Sequence, residues 1–402
     1  MRESPVQPTE SFSRRILGLR RLLDGVDPRL ARAFIPWTIR HPRHLPAFLR
    51  IMRANERAHL LRRQSIESGL PVPPFLVLSV TSRCNLRCAG CFAVAIGTTS
   101  DLPAARPPLT LADWQRILAE SAALGVVGFV IAGGEPFLLP GIAALFQHFS
   151  DRLFLVFTNG TAIGDEDFAT LKRCRNTFVV VSVEGDRSLT DARRGPGVYE
   201  NALRTLGRLR TAGVLTGLSV TIGPENIDFW SQERNIDALI SQSGPLAFFI
   251  EEIPTGECEP RPAITQAQRT RFREIVVRYR SRETGGAYII HAPGDEDYFG
   301  GCISAGRGFA HVNPFGDVTA CPMSALATHN LNASTVSEAL ASPLFTMIRE
   351  DGPLLETHDH PCALFANAVQ LETMATALGA YRTGTPNPAA PPANPLVNFP
   401  LP

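Results

Sequence analysis

Six apolar runs, at residues 75–81, 126–132, 153–157, 177–183, 217–222 and 246–253, punctuate this 402-residue chain. Each is rich in β-branched and aromatic residues and almost continuous in its hydrophobicity, the pattern of a strand buried on both faces of a parallel sheet. Helix-length stretches lie between them, as crossovers between parallel strands require. One opens at Thr110, ahead of Leu111 and Trp114. The pattern predicts an α/β core, residues 73–288, built from six β/α units.

The flanking zones are patterned differently. Residues 1–72 lack strand alternation and read as two or three short helices broken at Pro28, Pro36, Pro42 and Pro46. Residues 289–380 hold shorter elements. Within them, 309–320 predicts a β-hairpin turning at Pro314-Phe-Gly-Asp317, and a helix-length segment follows around 334–349. Residues 381–402 are rich in Pro, Ala and Asn and predict a disordered tail.

The chemistry-bearing residues cluster where the runs end. In a β/α series the loops after the strands converge, and active sites form there. Cys84, Cys88 and Cys91 follow the first run with spacing C-x₃-C-x₂-C. Three thiolates so spaced can take three irons of a cubane cluster and leave the fourth iron open, whereas electron-transfer clusters usually have four protein thiolates. Zinc or a closed cluster would need a remote fourth ligand, and no further Cys or His occurs before His148. Gly133-Gly134-Glu135-Pro136 closes the second run, either as a tight turn or as a cradle where backbone meets ligand. Ser182 and Glu184 share one side of the fourth run; a buried pair satisfied by backbone is the plainer reading. Asn159 and Thr221 end the third and fifth runs, where strand-end capping is the alternative. Arg193 and Arg194 follow Glu184 on a segment that could equally be a solvated helix face, with Arg194 the preferred anion partner.

Composition then removes whole classes. No apolar segment approaches ~20 residues, so no transmembrane helix is expected, and the first residues lack a signal-like apolar core, which predicts a cytoplasmic protein. Eight cysteines, clustered rather than scattered, point to metal binding in a reducing compartment instead of disulfides. With a net charge of +1 and Lys172 as the single lysine, no nucleic-acid surface is expected. The first 63 residues are the exception, with fourteen arginines against five acids and many interleaved apolar residues. That arm reads either as helices packed on the core or as an interfacial segment drawn to anionic lipid, peripheral to a membrane.

The cysteine loop, together with the Gly-Gly-Glu-Pro turn one strand later, resembles the signature of the radical S-adenosylmethionine (SAM) superfamily. The resemblance covers residues about 75–370 and implies a partial (β/α)₆ barrel of the TIM type. It also implies a [4Fe–4S] cluster on Cys84, Cys88 and Cys91 whose open iron is chelated by SAM. In that family the Gly133–Pro136 motif holds the methionine amino group, which makes Gly133, Gly134, Glu135 and Pro136 cofactor-binding candidates. Ser182 and Glu184 become ribose partners, Arg194 a partner of the SAM carboxylate, and Asn159 and Thr221 further wall residues. The implied reaction is reductive cleavage of SAM to methionine and a 5′-deoxyadenosyl radical, followed by hydrogen abstraction from a substrate. An external donor of flavodoxin or ferredoxin type would supply the electron.

Downstream, Cys302, Gly316 and Cys321 form C-x₁₃-G-x₄-C, and Cys362 follows. This layout resembles a shortened SPASM/twitch extension, which implies one auxiliary [4Fe–4S] cluster. Zinc or unmetallated structural thiols are the alternatives. Cysteine supplies only three ligands there, and Cys258, His358, Asp359 and His360 are the candidates for a fourth. Cys174, beside Lys172 and Arg173, reads as an incidental helix residue. The substrate is open between a peptide and a small molecule or lipid, and a non-catalytic iron–sulfur electron carrier or redox sensor is the alternative to an enzyme.

Overall fold

A computed structural model describes residues 36–99, 106–253, 263–282, 288–356 and 362–383. The six apolar runs form β1 (Phe75–Ser79), β2 (Gly128–Ala132), β3 (Leu153–Thr158), β4 (Thr177–Ser182), β5 (Leu215–Ile222) and β6 (Leu246–Glu251). They pair in sequence order, every pair parallel. Two further strands join them. β7 (Tyr288–Ala292) extends the sheet beyond β6, and β8 (Phe309–Val312) pairs parallel with the free edge of β1, from Phe75↔Phe309 to Leu78↔Val312.

The predicted hairpin therefore does not stand apart. Its first strand continues the main sheet, and β9 (Asp317–Thr319), β10 (Leu326–Asn330) and β11 (Tyr381–Arg382) add antiparallel strands outward from it. The order β11-β10-β9-β8-β1-β2-β3-β4-β5-β6-β7 is linear, so the sheet is open, with edges at β7 and β11. That is the partial barrel expected, one parallel strand longer at each end than the apolar runs indicated.

Strand alternation sorts the core into two faces. Val179, Val181 and Val183 of β4 and its exit join the large outer core with Trp114, Phe129, Phe154 and Phe249, beneath the helices. Phe178 and Val180 face the other way, into a small cluster with Leu246, Phe157 and Phe248. This apolar plug fills the floor of the concave side. Above it, the same alternation puts Ser182, Glu184, Ser219 and Thr221 at the mouth.

The crossover helix Leu111–Leu124 begins where the sequence placed it. Thr110 and Asp113 form a reciprocal capping box, and the indole of Trp114 donates to the Val80 carbonyl at 3.2 Å. Two helix readings are corrected. Leu45–Glu67 is one continuous helix, because Pro46 sits in its first turn, where a missing N–H costs nothing. The segment around 334–349 is two helices, Val336–Leu340 and Pro343–Glu350, since Pro343 restarts the chain after Ser342. Residues 1–35, Cys258, His358, Asp359, His360 and the tail from 384 lie outside the described residues.

Candidate active site

The loop of Cys84, Cys88 and Cys91 leaves β1 at the mouth of the sheet, and three neighbouring segments clamp it. From β2, Gly134 N–H donates to Thr81 O and Glu135 N–H to Arg83 O, both at 2.8 Å. From β3, Asn159 Nδ2 donates to Asn85 Oδ1 at 2.9 Å, and Asn85 Nδ2 donates to Thr161 Oγ1 at 2.8 Å. From the helix Arg187–Arg194, Ala89 N–H donates to the Arg193 carbonyl at 2.9 Å. The thiols are free and half-buried. Burial pushes Cys84 and Cys88 up, while the Arg194 guanidinium pulls Cys88 the other way. Three soft thiols on one braced loop suit an iron–sulfur cluster rather than a hard cation.

The two glycines serve that clamp. A Cβ on Gly134 would lie 2.1 Å from Arg83 O, and one on Gly133 would lie 2.7 Å from Thr81 O. Gly133 also has φ +137°, which side-chain-bearing residues rarely adopt. The close approach that the motif demands is thus to the cysteine loop itself. Pro136 starts a 3₁₀ turn behind it.

Glu135 turns toward the end of β3. Its carboxylate is buried and accepts from Thr158 Oγ1 at 2.7 Å, Asn159 N–H at 2.8 Å and Phe137 N–H at 3.3 Å. Burial raises its pKa to about 7, against those hydrogen bonds. In this geometry the side chain ties the β2 turn to the end of β3.

Glu184 and Arg194, assigned separately to ribose and carboxylate in the sequence reading, are joined here. Glu184 Oε1 accepts from Arg193 Nη1 at 2.9 Å and Arg194 Nη2 at 2.6 Å, while Oε2 accepts from Thr221 N–H at 3.0 Å. The carboxylate is 1% exposed and so shares two guanidiniums in a nearly dry setting. Arg193, ranked second in sequence, is the hub: it also reaches Gly90 O at 3.4 Å and Glu252 at 3.7 Å. Burial opposes its charge, but Glu184 and Glu252 outweigh that and keep it protonated. Ser182 and Thr221 have no side-chain hydrogen-bond partner among the described residues. Ser219, the register partner of Ser182, shares their face and was missed, although its spacing two residues before Thr221 could have revealed it.

The C-terminal thiols also converge. Cys302 and Cys321 are buried and Cys362 half-buried. Burial raises all three thiols, to about 11 for Cys362, and each lies within electrostatic reach of the Glu296 carboxylate. A pocket beside Cys321 and Cys362 is walled by Met323, Leu364, Phe365 and Ile96, the last only five residues beyond Cys91. The short helix that follows the cysteine loop thus ends beside the C-terminal group. Among the described residues, no three His, Cys, Asp or Glu side chains are close enough to share a single metal ion.

One further link was not foreseen. His311 of β8 bridges Ser79 Oγ through Nε2 and Thr319 Oγ1 through Nδ1, both at 2.8 Å. Burial lowers its pKa to about 3, so the ring is neutral, with one nitrogen donating and the other accepting. It fastens the strand entering the cysteine loop to the strand ending at Cys321.

Comparison with known proteins bears on the same segments. The Radical SAM superfamily profile matches residues 78–231. The Fe-coproporphyrin III synthase of Methanosarcina barkeri is 32% identical over 158 residues, which is 38% of this chain and 38% of that protein. The chain thus aligns with well under half of that relative's length. The PqqA peptide cyclase of Streptomyces rochei is 27% identical over 288 residues, 69% of this chain and 76% of that one. In fold, the chain is similar to Streptococcus suis SuiB bound to precursor peptide SuiA, with TM-score 0.60 and 17% identity over 73% of this chain and 71% of that one. The cysteine loop, the Gly-Gly-Glu-Pro turn and the Ser182–Glu184 strand end all lie within residues 78–231, the stretch that is similar to the Radical SAM superfamily.

Proposed function

We propose that the chain is a radical SAM enzyme that modifies a peptide. The carrying observation is the braced three-cysteine loop beside a mouth whose Ser182 and Thr221 hydroxyls remain unclaimed. Cys84, Cys88 and Cys91 would hold a [4Fe–4S] cluster, which when bound would supply the electron for reductive cleavage of SAM to methionine and a hydrogen-abstracting 5′-deoxyadenosyl radical. The protein's own part is to hold and orient. Backbone groups of Gly133 and Gly134 lie against the loop, where they would hold the methionine amino group of SAM. Ser182, with Ser219 and Thr221, lines the side where an adenosyl moiety would rest. Arg193 and Arg194 keep cationic character near the thiols while Glu184 fixes their positions. Glu135 and Asn159 brace the wall instead of touching the ligand.

A peptide substrate is favoured by the breadth of the likeness. The match to the tetrapyrrole synthase spans 158 residues, whereas the match to the peptide cyclase spans 288, well beyond the core. The convergence of Cys302, Cys321 and Cys362 supports a shortened SPASM-like extension holding one auxiliary [4Fe–4S] cluster, with electrons from a flavodoxin- or ferredoxin-type donor. Free thiols throughout the described residues favour a reducing, cytoplasmic setting. No helix among the described residues is long and apolar enough to cross a membrane. Exposed Leu45, Phe48 and Leu49, among Arg40, Arg50 and Arg53, support peripheral contact with anionic lipid. An electron carrier has no need of a wall of hydroxyls at the mouth, which favours the enzyme.

The test is anaerobic reconstitution with SAM and dithionite. Wild type should release 5′-deoxyadenosine and methionine, and the Cys84/Cys88/Cys91 triple Ala variant should release neither. A reducible wild type that forms no 5′-deoxyadenosine with any reductant refutes the proposal.

A further inference from the structure

The outer side of the cysteine loop carries charge that the proposed chemistry does not use. From residue 83 to 88 exposure alternates: Arg83, Asn85 and Arg87 are exposed, while Cys84, Leu86 and Cys88 between them are half-buried. Two arginines thus face outward from the backbone that carries the thiols. We propose that Arg83 and Arg87 form the docking face for a small acidic electron-carrier protein of flavodoxin type. The inference rests on the reading that Cys84, Cys88 and Cys91 hold a reducible cluster.

The loop is clamped from behind and bare in front. Gly134 N–H holds Thr81 O, Glu135 N–H holds Arg83 O, and Ala89 N–H is held by the Arg193 carbonyl. With β2, β3 and the helix Arg187–Arg194 on those sides, the exposed side of Arg83 and Arg87 is left as the approach for a protein. The charge there is of one sign. No acidic residue lies between Glu67 and Asp101, so neither arginine has a counter-ion within the loop. Beyond Thr161, to which Asn85 bonds, Asp165 is met by Arg208 at 3.4 Å.

Each arginine is placed differently. Arg87 Nη1 donates to the carbonyls of Cys84 and Leu86, at 3.1 and 3.0 Å, which holds its charge over the peptide of the first thiol. The Arg83 side chain has no hydrogen bond or ion pair among the described residues, although its backbone N–H donates to Thr81 Oγ1 at 3.2 Å. Val94, in the short helix that leaves the loop, is 43% exposed and adds an apolar side chain to the surface. A cationic lip with an apolar neighbour is the complement of a carrier whose redox edge is apolar and ringed by carboxylates. Such electron-transfer encounters are small and transient, and opposite charge speeds them chiefly by steering the approach. A donor seated here is separated from the thiols by the loop's own backbone. One electron would pass: the anionic flavin hydroquinone becomes the neutral semiquinone as [4Fe–4S]²⁺ becomes [4Fe–4S]⁺, with no proton moved.

The experiment uses the full chain reconstituted with iron and sulfide, and an acidic flavodoxin as the probe. ¹⁵N-labelled oxidised flavodoxin is titrated with the chain, and binding is read from its amide shifts. Wild type should bind in about 0.01 M salt, where the screening length is about 30 Å, and weaken steeply towards about 1 M, where it is about 3 Å. Arg83→Glu should raise Kd about tenfold at low salt and hardly at all at high salt. Arg83→Lys keeps the charge and should bind as wild type does. Arg53→Glu reverses an exposed arginine on the helix Leu45–Glu67 and should change nothing. Photoreduced deazaflavin should reduce the cluster equally fast in all of them, whereas flavodoxin hydroquinone should be slow only with Arg83→Glu. Arg83→Glu binding flavodoxin as tightly as wild type overturns the proposal, as does a wild type that binds none. An equal loss in Arg83→Lys would mean that shape and not charge matters, and an equal loss in Arg53→Glu would mean diffuse attraction to a basic chain; either overturns it. A wild type that deazaflavin cannot reduce defeats the underlying cluster reading, and the proposal with it.

Discussion

Gly134→Ala tests whether the glycine pair exists to seat the cysteine loop. The new methyl would fall 2.1 Å from Arg83 O, a backbone atom that cannot rotate away. Real Cβ contacts essentially never come below 3.0 Å, so loop and turn must separate by about 1 Å. The two hydrogen bonds straddling that contact, Gly134 N–H to Thr81 O and Glu135 N–H to Arg83 O, are each 2.8 Å long and would both stretch. Overpacking costs about 1–3 kcal/mol and each lost backbone bond about 0.5–1.5 kcal/mol, so the whole change is worth about 2–6 kcal/mol. That is a large part of a stability that is usually only about 5–15 kcal/mol. Urea unfolding of the metal-free protein measures the cost, and iron content after reconstitution measures the loop. The variant should lose stability in this range, and iron loading at the SAM-side site should fall. A Gly134→Ala protein within ~0.5 kcal/mol of wild type, with full iron content, would refute the packing argument.

Two further changes probe the wall around the loop. Between pH 4.5 and 7 the folded chain holds a proton on Glu135 that the unfolded chain releases, because burial raises the folded pKa from 4.5 to about 7. Its contribution is therefore present at low pH and lost as pH rises through 7, amounting to roughly 3 kcal/mol at ~1.4 kcal/mol per pH unit. Glu135→Gln should flatten that part of the pH profile of the urea midpoint, and an unchanged slope would place the titration elsewhere. Ser182→Ala should weaken SAM binding by about 1–3 kcal/mol in calorimetry while leaving iron content intact, since its hydroxyl has no partner to lose among the described residues. Equal SAM affinity in the variant would remove Ser182 from the ligand's path.

Much of this was legible from pattern alone. β1 to β6 announce themselves as continuous apolar runs because both faces of the sheet are covered, and the cysteine loop, Gly133–Pro136 and Ser182–Glu184 all fall at their ends. β7 did not, being short and interrupted by the buried His291, and β8 showed only as the first strand of a hairpin, with no sign that it joins the main sheet. The parallel pairing of β8 with β1 joins segments more than two hundred residues apart, which no local periodicity encodes. Side-chain direction in loops was equally hidden. Glu135 turns toward β3, and Glu184 turns toward Arg193 and Arg194, because buried carboxylates seek donors, here on the next strand and the following helix.

The open iron at the cysteine loop is the account's central claim, and one spectrum addresses it. In the Cys302/Cys321/Cys362 triple Ala variant the SAM-side cluster is the only one left to observe. Its reduced electron paramagnetic resonance signal should shift when SAM is added. Electron–nuclear double resonance should then detect the ¹⁵N and ¹⁷O of SAM labelled in its methionine amino and carboxylate groups. A reduced cluster whose signal is untouched by SAM, with no coupling to either label, would mean that its fourth iron is closed and that the loop of Cys84, Cys88 and Cys91 does not bind SAM.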